Sequence, residues 1–106
     1  TTIGHYLQQL QSHDTLANGD LILIKGHVMI VSDTEKNLLI EARSYGHGYG
    51  KVHEIELYKV FDGIKTYHDL VNAFFNKRTL QRKDIHGNIK DSFSDWKILK
   101  MLSTYQ

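Results

Sequence analysis

Residues 19–42 read GDLILIKGHVMIVSDTEKNLLIEA, three apolar runs interrupted only by Lys25-Gly26 and by the polar stretch DTEKN. Short runs rich in Leu, Ile and Val, bounded by glycine or polar clusters, are strand signals. Here they predict LILI, HVMIVSD and LLIEA as three consecutive strands joined by tight turns. Connections this short admit only antiparallel neighbours, so the segment commits the chain to an antiparallel sheet. A turn centred on Thr34 places His27 opposite Glu41. Met29, Val31, Asn37 and Leu39 then share the histidine face, while Val28, Ile30, Leu38 and Ile40 point the other way and are expected to build the core. A slip of one residue exchanges the two sets.

The rest of the chain supplies helices and further strands. In residues 3–12, IGHYLQQLQS, Ile3, Leu7 and Leu10 recur at helical spacing and predict a short amphipathic helix. ANGD is a turn. RSYGHGYG, residues 43–50, reads as a glycine-rich loop. KVHEIEL reads as an edge strand with one wet side, and YKVFDGI as a single helical turn ending at Gly63. TYHDLVNAFFNK carries the best helix signal. Thr66 can cap it, and Leu70, Val71, Phe74 and Phe75 form its apolar stripe. TLQRKDI reads as a strand, HGN as a turn, and part of DSFSDWKILKML as a further strand. The basic cluster KRTLQRK fits a solvated edge strand, since lysines discourage sheet-to-sheet pairing. Trp96, with Phe93, Ile98 and Leu99, is expected in the core. The fold class is α+β, a mainly antiparallel sheet flanked by helices.

Composition narrows the function. The 106 residues make one domain. With Lys+Arg 13 against Asp+Glu 12 there is no basic excess for nucleic acid, and no apolar run is long enough to span a bilayer. There is no cysteine, which excludes disulfides, thiolate metal sites and thiol catalysis by these residues alone.

One pair carries chemistry. A carboxylate beside an imidazole fixes its tautomer, holds the ring and stabilises the imidazolium. Those are the needs of a base that activates a nucleophile. We expected Glu41 to take the Nδ1–H of His27; a purely structural ion pair is the alternative. The loop that follows Glu41 can line a cleft, with Tyr45, His47 and Tyr49 as substrate contacts. Arg43 can clamp a substrate carboxylate or pair on the surface. His47, His53 and Glu41 match no compact zinc spacing, so no metal is expected.

The stretch LANGDLILIKGHVMIVSDTEKNLLIEAR resembles the NlpC family of papain-like cysteine peptidases, which mostly cut bacterial cell-wall peptides. The family pattern is a GDL strand, a strand opening HVGIY with the catalytic histidine, and an apolar run ending in His-Ala. Gly19-Asp20-Leu21, His27-Val28-Met29-Ile30-Val31 and Leu39-Ile40-Glu41-Ala42 match these in turn. The resemblance spans about residues 1–57, with TTIGHYLQQLQSHDTL similar to the segment before the GDL strand. It implies that His27 is the catalytic histidine and Glu41 the third polar residue, usually His, Asn or Gln. It further implies a peptide or peptidoglycan-like substrate, no cofactor, and an envelope or secreted setting. Related permuted papain-like hydrolases show Glu-Ala at the third position, but their cysteine lies downstream of the histidine, where this chain has none. Met29 stands where the family has glycine. The family nucleophile opens a helix upstream of the segment matching Thr1. The expected reading is therefore a papain-like core without its cysteine helix, the C-terminal part of a longer hydrolase domain. An inactive papain-like module that binds a peptide or partner protein is the alternative.

Overall fold

The computed structural model describes residues 3–44 and 50–105, with the side chains of residues 7–41 and 52–102. Its strands are β1 (Ile3–Gln9), β2 (Leu21–Ile24), β3 (His27–Asp33), β4 (Leu38–Ser44), β5 (Gly50–Glu56), β6 (Leu80–Lys83), β7 (Ile89–Phe93) and β8 (Lys97–Tyr105). Two helices, α1 (Leu57–Val60) and α2 (Tyr67–Phe75), lie between β5 and β6. Six strands form an antiparallel sheet in the order β1-β8-β2-β3-β4-β5, and β6 pairs with β7 in a separate hairpin. The class is α+β, with the sheet dominant.

The hairpins at the centre follow the sequence closely. Lys25 and Gly26 are the two residues between the Ile24↔His27 pair, and Gly26 takes the left-handed φ of 71° that glycine adopts without steric cost. Between β3 and β4, Asp33 Oδ1 accepts from the backbone N–H groups of Glu35 and Lys36. This side-chain closure is a standard reason for Asp at a turn.

Helix α2 begins where the sequence predicts. Thr66 Oγ1 accepts from the Asp69 N–H while Asp69 Oδ2 accepts from the Thr66 N–H, a complete capping box. Leu70 is buried, Val71 and Phe74 are half-buried, and Phe75 is exposed; Tyr67 and Ala73 complete the covered side. The Tyr67 hydroxyl donates to the Leu38 carbonyl at 2.7 Å, and its N–H donates to Asn37 Oδ1 at 2.9 Å. These bonds dock α2 beside the start of β4. Burial, reinforced by the Asp33 charge, holds the Tyr67 phenol well above its usual pKa.

Three expectations are overturned. Residues 3–12 do not form a helix: β1 pairs residue for residue with β8, from Ile3↔Tyr105 to Gln9↔Leu99. The cause is tertiary. β2 occupies only Lys97–Leu99 of the long β8, so on the other side β8 offers a full row of backbone groups for β1 to satisfy. The core, too, lies on the opposite face of the hairpin from the one expected. Met29, Val31 and Leu39 are buried, whereas Val28 and Ile30 remain exposed. Both faces are apolar, so alternation alone does not say which one the helices cover. Ile22, Ile24, Ile98, Phe61, Leu70 and Leu80 pack with Met29, Val31 and Leu39 in one cluster, which places α1, α2 and the β6–β7 hairpin over the inner face. Finally, Arg43 and Ser44 extend β4, and Gly50 opens β5, so the connection is shorter than the expected 43–50 loop.

Elsewhere the pattern was informative. β5 is an edge strand, but Leu57 belongs to the following helical turn and not to the strand. Gly63 has φ 74° just beyond that turn. The ambiguous tail is strand throughout β7 and β8. Trp96 is buried and donates its indole N–H to the Arg78 carbonyl at 2.9 Å.

Candidate functional site

His27 is the first residue of β3, delivered by the Lys25-Gly26 turn. Its cross-strand neighbour on β2 is Ile24. Glu41 lies on β4 opposite Met29, not opposite His27, and the β3–β4 register shifts between Val31 and Asp33. The observed pairing differs from the expected one by two residues, an even number, so His27 and Glu41 stay on the same face as diagonal neighbours. The pair survives: His27 Nε2 lies 3.5 Å from Glu41 Oε1. The nitrogen facing the acid is Nε2, where Nδ1 was expected. Nδ1 is therefore the ring nitrogen on the side away from the carboxylate.

The two partners differ in access. The Glu41 side chain is 0% exposed and that of His27 20% exposed. An ionised carboxylate sealed from water is tolerated only with a strong partner. That partner is Arg82 of β6, whose Nη2 bonds Glu41 Oε1 in an ion pair. A single carboxylate oxygen thus faces both guanidinium and imidazole. His53 of β5 sits directly across from Glu41 in the strand register. The inner-face cluster is therefore one acid, Glu41, with His27, His53 and Arg82 arranged around it on three different strands.

Sequence reasoning missed Arg82, which it assigned to a solvated edge. The signal was present. Leu80 is buried, and the residue two along a strand shares its face, so Arg82 is directed inward with Leu80. Only the hairpin's docking over β4 brings that face to Glu41.

Asp20, from the GDL motif, is the other buried acid. Its Oδ2 accepts from the Ala17 N–H at 2.8 Å and from Lys100 Nζ at 2.9 Å, and its Oδ1 accepts from the Met101 N–H at 3.1 Å. Lys100 also donates to the Thr15 carbonyl at 2.6 Å. Asp20 therefore ties the connection before β2 to strand β8.

The remaining predicted contacts are less defined. Arg43 follows Glu41 by two residues on β4, and its side chain lies outside the described ones. Tyr45, His47 and Tyr49 lie outside the described residues. A cleft of about 600 Å³ adjoins the β2–β3 turn, lined among others by Ile24, Lys25, Gly26, Phe93 and Trp96. It borders the turn that delivers His27, but neither His27 nor Glu41 lines it. No group of three or more His, Asp or Glu among the described residues is arranged to hold a metal ion. Among the described residues no helix is long and apolar enough to cross a membrane.

No family model, curated protein or solved structure matches the chain.

Proposed function

We propose that this chain is the histidine-bearing portion of a papain-like cysteine hydrolase of the NlpC type, acting on cell-wall peptides or related amides. The observation that carries the reading is the part-exposed His27 ring held 3.5 Å from a fully buried Glu41 carboxylate. In this reading Glu41 orients the ring through Nε2, and Arg82 holds the carboxylate in place. Since Arg82 already neutralises the acid, Glu41 acts on His27 more by position than by charge. The nucleophile is a cysteine thiol from outside these 106 residues, which contain none. His27 takes the thiol proton, and the thiolate attacks the amide carbonyl carbon. As the C–N bond breaks, His27 returns the proton to the leaving amine. Water then attacks the thioester, its proton passing through His27 back to the thiolate sulfur as the acid product leaves. Arg43 near the end of β4, with Tyr45, His47 and Tyr49 after it, contacts the substrate. No cofactor is required, and an envelope or secreted setting follows from the substrate class.

The test uses the natural polypeptide that contains these residues. Its cysteines are treated with an alkylating reagent, and hydrolysis of peptide amides is followed by mass spectrometry. The expected result is one rapidly alkylated cysteine and a loss of hydrolysis in His27→Ala of about 10²–10⁴-fold, the usual worth of a positioned acid–base group. Hydrolysis that persists in His27→Ala at the wild-type rate would overturn the proposal.

A second reading, an inactive papain-like module that binds a peptide or partner protein, is favoured by the absence of cysteine. It predicts a polypeptide without a reactive thiol, in which peptide binding shifts the His27 NMR signals.

A further inference from the structure

The six-stranded sheet is apolar on both faces, and the described helices cover only one. A single-layer antiparallel sheet that faces water on one side normally alternates, with polar residues outward. Here the outward set includes Leu21, Val28, Ile30, Ile40, Leu99 and Met101. The strand register aligns Leu99, Leu21, Ile30 and Ile40 in one row across four strands, and Glu54 ends that row on β5. Val28 and Ile30 at its centre are 49% and 39% exposed. A contiguous apolar surface spanning four strands marks an interaction site.

The charges on this face stand at its flanks. Lys97 of β8 is exposed on one side of the apolar strands, and Glu54 of β5, which also accepts from the Ser32 hydroxyl, is exposed on the other; Glu56 beyond it is already paired with Lys59. An apolar centre with a polar rim is the anatomy of a protein interface. Opposite signs on opposite flanks also make the face complementary to itself. A two-fold axis lying in the interface and parallel to the strands sets β5 of one copy over β8 of the other. Lys97 and Glu54 then stand one row apart, about 7 Å along the strands, within a lysine's reach. An axis perpendicular to the strands sets β5 over β5 and brings like charges together, so the charge pattern selects the first arrangement.

We infer that the outer face, centred on Val28 and Ile30, binds a second copy of this chain in a two-fold, sheet-on-sheet dimer. The inference is independent of the hydrolase reading, because it uses the face opposite His27. Packed sheets stand about 10 Å apart with strands within about 30° of alignment, so the core becomes two sheets with the helices outermost.

Sedimentation velocity over a concentration series tests it. The expected species is a dimer of the 12.3 kDa chain that dissociates on dilution. Ile30→Lys, placed at the apolar centre where the side chain is already half exposed, weakens association tenfold or more while far-ultraviolet circular dichroism stays unchanged. Lys97→Glu weakens it severalfold, and the double variant Lys97→Glu/Glu54→Lys recovers most of that loss. A chain that stays monomeric at several hundred micromolar overturns the inference, and strong dye binding by that monomer assigns the face to a different partner. A dimer indifferent to Ile30→Lys, or open-ended growth through the β1 and β5 edges, overturns it equally.

Discussion

Asp20 and Glu41 are both buried acids at the borders of the same apolar hairpin region, yet they are satisfied in different ways. Asp20 is saturated by direct donors: two backbone N–H groups and the Lys100 ammonium, from the connection before β2 and from β8. Its bonds join parts of the chain far apart in sequence, and two of the three groups it holds are backbone N–H. Glu41 faces the Arg82 guanidinium from β6 and the His27 ring from β3. Both of those side chains reach solvent, His27 at 20% and Arg82 at 16% exposure. The difference separates an acid held largely by backbone donors from an acid that, in the proposed reading, orients His27. Burial and charge, taken alone, do not distinguish them.

The comparison is broken most directly at Arg82. Removing one partner of a buried ion pair leaves the other charge uncompensated, at a cost of roughly 3–5 kcal/mol. Arg82→Met is expected to lower unfolding free energy by that amount in urea titration at neutral pH. The double variant Arg82→Met/Glu41→Leu is expected to regain much of the loss, since an apolar replacement of the whole pair is often close to neutral. A loss below about 1 kcal/mol in the single variant, the range of surface pairs, means that water reaches the Glu41 carboxylate.

The next contrast sets Asp20→Asn against Glu41→Gln. Asp20→Asn keeps the shape but weakens charge-assisted bonds to two N–H groups and an ammonium, so about 2–3 kcal/mol is expected to be lost. The imidazole resonances of His27 are expected to stay in place. Glu41→Gln retains an acceptor for Arg82 but leaves the guanidinium charge unpaired, so it is expected to cost at least as much, and it moves the His27 ring resonances. Two-dimensional NMR of the ring nitrogens and protons reads both variants. Equal effects on His27 from the two substitutions erase the distinction drawn between the acids.

How much of this was legible in the sequence depends on what each residue answers to. The strands of GDLILIKGHVMIVSD and the Thr66–Asp69 cap are local. Turn chemistry and capping act over three or four residues, and the structure agrees with both. The His27–Glu41 pair was legible because parity, not exact register, decides which face a side chain shares; a two-residue error left parity intact. Three features were not legible, for one reason. β1 took its conformation from β8, which lies at the other end of the chain. Which apolar face became the core was set by where α2 docked. Arg82 faced inward by its own strand pattern, but its acid lay on another strand. Each required a long-range contact that local pattern does not encode.

A third acid calibrates the first two because it makes bonds like those of Asp20 without the full burial. Asp69 is a half-buried capping residue, and its carboxyl is held below the usual 3.8, chiefly by the backbone N–H groups of Thr66 and Lys65. A carboxyl with a lowered folded-state pKa favours the native chain wherever the unfolded chain would still be ionised. Its contribution is therefore complete above the unfolded value near 3.8 and disappears as pH falls through the folded one. Stability measured from pH 6 down to pH 2 is expected to decline over that lower window, and Asp69→Asn is expected to flatten that part of the decline. Because its partners are backbone dipoles and not mobile ions, added salt is expected to change this contribution little. If Asp69→Asn leaves the acid limb unchanged, the capping carboxylate does not titrate with folding. Backbone donation would then be a weaker hold than the Asp20 comparison assumes, and Lys100 would carry more of the stability at that site.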